Sequence, residues 1–150
     1  MEINTTRFGR IEVEDDQIVT MPEGVIGFEE NKKYAILDHS PESPFKWFQS
    51  VEEPGLAFAI TDPLQFFPDY KVDFKKADLE FLGAEEESGL LTLAFVSVKR
   101  ETSTVTANLL GPIVINLKNL AAKQLVLSDS NYSSSQDLNP SSTTTSVKSL

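Results

Sequence analysis

The sequence predicts an all-β protein, mainly antiparallel, built as a small barrel-like or strongly coiled sheet with one or two short helices. Two observations predict it. Apolar residues recur at period two along most of the chain, as in Gly9-Arg10-Ile11-Glu12-Val13, where Ile11 and Val13 share one face. The runs also follow one another through Gly-, Pro- and Asp-containing turns, which favours pairing of chain neighbours. Closure into a barrel would remove exposed strand edges, so it is preferred over a two-sheet sandwich, which the same periodicity also permits.

The elements follow in order. Residues 9–13 and 17–21 read as strands joined at Asp15-Asp16, a hairpin that ends at Pro22-Glu23-Gly24. Residues 34–38 are a short apolar strand. Residues 45–50 and 56–61 read as an antiparallel pair joined across 52–55, with Pro44 and Pro54 outside the strand interiors. On the first of these, Phe45 and Trp47 share one face and Lys46 and Phe48 the other, with Trp47 expected in the core. Residues 63–70 form an aromatic connection interrupted by proline, and Val72 and Phe74 begin another short strand. Residues 75–82 are the best helix candidate, with Leu79 and Leu82 three apart and Gly83 as a stop. About two turns long, that helix needs tertiary packing to persist. Residues 90–99 are apolar at nearly every position, as a central strand would be.

The densest β-forming stretch is 104–127. It holds runs at 104–110 and 113–117 joined by Gly111-Pro112, then a third at 124–127. Asn108 and Asn116 stand where apolar side chains would be cheaper, and a buried amide without partners costs roughly 1–3 kcal/mol. Both amides are therefore expected to tie strand edges or turns to neighbouring backbone. Gly24 is expected to supply a positive φ at a turn.

Composition narrows the function. A chain of 150 residues makes one ordinary domain, and 40% hydrophobic content supports a core. The reading is a single β domain over 1–138, followed by a Ser/Thr-rich tail, 139–150, expected to be disordered. There is no cysteine, so disulfide and thiolate chemistry are excluded. The N-terminal stretch has no apolar signal core, which makes the cytoplasm the expected compartment. With 13 Lys and Arg against 23 Asp and Glu, the net charge is −10. That field opposes a nucleic-acid backbone and favours encounter with a basic protein. His39 is the single histidine and has no second ligand or nucleophile that would make it a metal site or a base. No cofactor, metal or catalytic residue is expected, and an interaction protein is favoured over a small barrel enzyme, a general protein-binding chaperone or a nucleic-acid binder.

The order of short motifs carries a resemblance. Asn108-Leu109-x-x-Pro112-Ile113-Val114-Ile115-Asn116 followed by Gln124-Leu125-Val126-Leu127 resembles the core of the flagellar assembly factor FliW family. So do Phe8-Gly9, Ile18, Pro22-Glu23-Gly24, Gly27-Phe28, Pro44-Phe45, Gln49-Ser50, Leu56-Ala57-Phe58, Asp62-Pro63 and Phe66-Phe67-Pro68-Asp69-Tyr70. The resemblance runs over residues 1–138. It implies a non-enzymatic cytoplasmic protein of flagellated bacteria. Such a protein would bind flagellin and the RNA-binding translational regulator CsrA, antagonise CsrA and so relieve repression of flagellin mRNA. It would touch neither nucleic acid nor membrane directly. Partner-binding candidates are Phe66, Phe67, Asp69, Tyr70, Tyr132 and Leu138; Gly24, Asn108, Pro112 and Asn116 are expected to hold the fold. The chain departs from the family pattern at Val25-Ile26-Gly27, where many relatives have proline. It departs again at Ser133-Ser134-Ser135-Gln136-Asp137, where relatives often carry basic residues.

Overall fold

A computed structural model describes residues 1–38 and 40–138. Its strands are β1 (Glu2–Thr5), β2 (Gly9–Glu12), β3 (Ile18–Thr20), β4 (Lys33–Asp38), β5 (Phe45–Ser50), β6 (Ala57–Thr61), β7 (Leu90–Lys99), β8 (Thr104–Ala107), β9 (Ile113–Asn116), β10 (Ala122–Gln124) and β11 (Gln136–Asp137). The helix is α1 (Lys76–Phe81), and single 3₁₀ turns lie at Asp15–Gln17 and Pro63–Gln65. The protein is thus mostly antiparallel β with few short helical pieces, as the periodicity implied.

One path runs β10-β9-β7-β6-β5-β4-β3, and every neighbouring pair in it is antiparallel. The two ends of this path meet at an isolated parallel bridge between Thr20 and Ala121, where Thr20 N–H donates to the Leu120 carbonyl at 2.9 Å. That contact is one bridge rather than a ladder. β7 carries two partners on one edge. Leu90–Leu93 pair with β9, and Val96–Lys99 pair with β8, which in turn carries β11.

Alternation along the strands sorts side chains into separate clusters. Val19, Tyr34, Phe48, Ile60, Leu93, Ile113, Ile115 and Ala122 enter one core, so every strand of the main path contributes to it. The opposite face of β7 and β9 sends Ala94 and Val114 into a second cluster, covered by Leu82 at the end of α1 and the chain from 66 to 74. Both faces of β9 are thereby covered, and all four of its residues are buried. A third cluster sits under β1 and β2, where Ile3 and Val13 pack on Ala35 and Leu37 of β4.

Several expectations need correction. Residues 9–12 do not pair with 17–21; β2 pairs with β1, and β3 pairs with β4. The reason is local. Thr5 Oγ1 accepts from Phe8 N–H at 2.7 Å and donates to the Gly9 carbonyl at 2.9 Å, closing a turn ahead of β2. Gln17 then binds back to Glu14 N–H at 2.8 Å, making a 3₁₀ turn that redirects the chain instead of reversing it. Val72 and Phe74 form no strand and pack as cluster residues. The runs around Gly111-Pro112 do not pair with each other; both attach to β7. On β5 the buried aromatic residue is Phe48, fully buried and stacked on Tyr34 at 4.4 Å between ring centroids. Trp47 is half-buried against the third cluster, with the Arg7 guanidinium 4.0 Å over its ring.

The residues expected to hold the fold make the following contacts. Asn116 Nδ2 donates to the Leu82 carbonyl at 2.8 Å, holding the end of α1 to β9, while its Oδ1 accepts from Lys118 N–H at 2.9 Å. Asn108 Oδ1 accepts from Gly111 N–H at 2.8 Å and so shapes the turn before Pro112. The Pro112 carbonyl accepts from Leu125 N–H at 2.8 Å. Gly24 has φ +69°, and a Cβ there would lie 2.7 Å from Glu29 Cα. The helix ends where expected, at Leu82 before Gly83 with φ +69°.

Candidate functional site

The aromatic segment after β6 starts with a capped turn. Asp62 Oδ1 accepts from Leu64 N–H at 3.0 Å and Pro63 begins the 3₁₀ turn. The turn delivers Phe66 against Phe45, ring centroids 6.1 Å apart, and Phe67 beside Phe66 at 6.5 Å. Both are half-buried members of the second cluster. Asp69 is exposed. Tyr70 is buried; its hydroxyl donates to the Leu109 carbonyl at 2.7 Å, and burial pushes its pKa well above the ordinary tyrosine value.

Tyr132 lies against it, ring centroids 4.7 Å apart, and accepts from Lys71 N–H at 2.9 Å. This clamp joins two stretches of chain that form a groove of about 940 Å³. One wall is Lys71, Asp73, Phe74, Lys75 and Asp78. The other is the chain from Lys123 to Tyr132, held in place because Leu125 and Leu127 donate to the carbonyls of Pro112 and Leu110, each at 2.8 Å. Ser130 turns this wall, its Oγ donating to the Leu127 carbonyl at 2.6 Å and accepting from Tyr132 N–H at 3.2 Å.

Two ion pairs cross the groove. Lys123 Nζ lies 3.3 Å from Asp78, both side chains mostly buried, and 4.9 Å from the Phe81 ring centroid. Lys75 and Asp129, both exposed, approach to 3.9 Å at the mouth. Apolar wall from Phe74, Leu125 and Leu127 remains between them. Such a groove suits a peptide-like or side-chain partner. Among the described residues no group of His, Asp and Glu is arranged to hold a metal ion, and no helix is long and apolar enough to cross a membrane.

Of the residues expected to meet partners, Phe66, Phe67, Tyr70, Tyr132 and Leu138 all belong to the second cluster, and Tyr132 lines the groove. Leu138 is buried, its N–H donating to the Val105 carbonyl at 3.0 Å beyond β11. The reading of His39 and of the 139–150 tail falls outside the described residues. Lys71, Phe74, Lys123 and Leu125 were not singled out by sequence. The only signal was the β-forming run at 124–127, and it needs correction: the strand is β10, Ala122–Gln124, and residues 125–127 leave the sheet to line the groove.

Comparison with known proteins agrees along nearly the whole chain. The family described as "FliW protein" matches residues 2–138. The flagellar assembly factor FliW of Treponema denticola is 43% identical over 138 residues, 92% of this chain and 93% of the relative. The protein of the same name from Leptospira interrogans is 42% identical over 134 residues, 89% of each chain. A crystal structure of the flagellar assembly factor FliW superposes with a TM-score of 0.83 at 34% identity, covering 92% of this chain and 96% of that one. From the motif order, the fold and these matches together, the chain belongs to the FliW family.

Proposed function

We propose that this protein is a cytoplasmic flagellar assembly factor that binds flagellin and a CsrA-type RNA-binding regulator. By holding the regulator it relieves repression of flagellin mRNA; by holding unsecreted flagellin it is itself kept from the regulator. The observation that carries the reading is the match to flagellar assembly factors along residues 2–138. The net charge of −10 supports it, since a regulator that grips RNA presents basic surface, which an acidic protein attracts while repelling RNA.

The groove beside Tyr132, with Phe66, Phe67, Tyr70 and Leu138 in the same cluster as Tyr132 and Asp69 exposed next to Tyr70, is the contact region assigned to this function. The working unit is the β domain of residues 1–138, read as barrel-like because one core receives side chains from every strand of the main path and its ends touch at Thr20 and Ala121. The 139–150 tail is assigned no binding role.

The test is a competition assay with purified protein, CsrA-type regulator, flagellin and a labelled flagellin-leader RNA. The protein is expected to free RNA from the regulator without binding RNA itself, and added flagellin to restore the regulator–RNA complex. Failure to retain either protein partner at low salt would remove this reading. Truncation after Asn139 is expected to leave both affinities unchanged.

A further inference from the structure

The loop between β3 and β4 holds two large apolar side chains in solvent. Ile26 is 58% exposed and Phe28 43%. Single exposed apolar residues are ordinary and need no explanation. Here the two share one tip, and the tip is pinned. Gly24 N–H donates to the Met21 carbonyl at 2.8 Å and Phe28 N–H to the Val25 carbonyl at 2.7 Å. Gly27 N–H donates to Glu29 Oε2 at 2.9 Å, and Ile26 N–H to Gln124 Oε1 at 2.9 Å, across 98 residues of sequence. Val25 is buried in the main core, and Phe28 rests edge-on against Phe58 with centroids 5.3 Å apart. A tip held this way gives up little freedom on binding.

Its surroundings are acidic. Glu23, Glu29 and Glu30 are exposed on the loop itself. Glu52 is drawn to it by accepting from the N–H groups of Lys32 and Lys33 at 2.7 and 3.0 Å, and Glu53 by Asn31 Nδ2 at 3.4 Å. These carboxylates outnumber the neighbouring Lys32 and Lys33. The field repels nucleic acid, an anionic lipid surface and a second copy of this acidic chain. It suits a basic protein surface with an apolar recess.

We infer that Ile26 and Phe28 form a docking knob, rimmed by Glu23, Glu29 and Glu30, for the basic partner; the inference rests on the interaction reading above. Ile26→Ser and the double variant Glu23→Lys/Glu30→Lys test it. Glu23 and Glu30 make no hydrogen bond or ion pair among the described residues, so the reversal leaves the fold's own contacts intact. Titration against purified CsrA-type regulator is expected to show binding weakened about tenfold or more by each variant. The charge reversal is further expected to flatten the salt dependence, with flagellin binding and the thermal midpoint retained. Unchanged regulator affinity in both variants overturns the knob and leaves the interaction function standing. Loss of flagellin binding in place of regulator binding also overturns it. Wild-type protein that binds neither partner overturns the function and the knob together.

Discussion

Tyr70 and Tyr132 lie with their rings 4.7 Å apart, and each hydroxyl is committed to backbone on a different segment. Tyr70 donates to the Leu109 carbonyl and Tyr132 accepts from Lys71 N–H. The pair is thus a joint between the aromatic segment and the strand ends. Tyr70→Phe leaves a buried carbonyl without its donor and is expected to cost about 1–3 kcal/mol, read from urea unfolding. Tyr132→Phe loses a bond nearer solvent and should cost less, about 1 kcal/mol.

Tyr34 presents the opposite case. Its ring is fully buried and stacked on Phe48, but its hydroxyl has no hydrogen-bond partner among the described residues. Tyr34→Phe keeps the stack and removes the unsatisfied group. It is expected to leave stability unchanged or raise it by about 1 kcal/mol. A loss above that in thermal unfolding would show that the hydroxyl is satisfied in solution.

The same residue sets an alkaline limit. Burial first, then the fields of Glu52 and Glu53, push the Tyr34 pKa from 10.0 up to about 12. The unfolded chain therefore releases this proton before the folded one does. Stability from this group is full below pH 10 and is lost as pH rises towards 12. Denaturation midpoints should fall across that window, and Tyr34→Phe should flatten part of the fall. Tyr70, also raised by burial, supplies a further part of the slope.

Gly24 and Gly9 have similar positive φ values, +69° and +72°, but different surroundings. A Cβ at Gly9 meets nothing within 4 Å, whereas at Gly24 it strikes the Glu29 backbone. Gly9→Ala should cost about 1 kcal/mol from backbone conformation alone. Gly24→Ala should cost more than about 2 kcal/mol, because backbone must also move. Equal losses in the two variants would contradict the close approach at Glu29.

Asn116 ties α1 to the sheet through the Leu82 carbonyl. Asn116→Ala is expected to cost about 1–3 kcal/mol and to raise amide exchange through Lys76–Phe81 before the sheet opens. Asn119 Nδ2 also donates to the Leu82 carbonyl, at 3.1 Å, so part of the attachment remains and the loss is local.

Much of the local structure was legible in the chain. The β5–β6 hairpin, α1 with its stop at Gly83 and the backbone-binding amides of Asn108 and Asn116 all follow from short-range pattern and turn chemistry. Partner choice was not legible, because it is decided by contacts distant in sequence. β1 was missed since Ile3 is its only large apolar residue and Thr5 is buried by hydrogen bonding instead. Period two divided Trp47 from Phe48 correctly but could not say which face met the deeper core. The groove joins residues such as Lys71 and Tyr132, 61 positions apart, and no spacing rule brings them together.

β7 binds β6 along one side and shares its other side between β9 and β8. Neither of those two can detach without stripping part of the same ten-residue segment. Leu90–Lys99 is therefore the keel of the molecule. Loosening that one strand would unseat β9 with β10 and β8 with β11 alike.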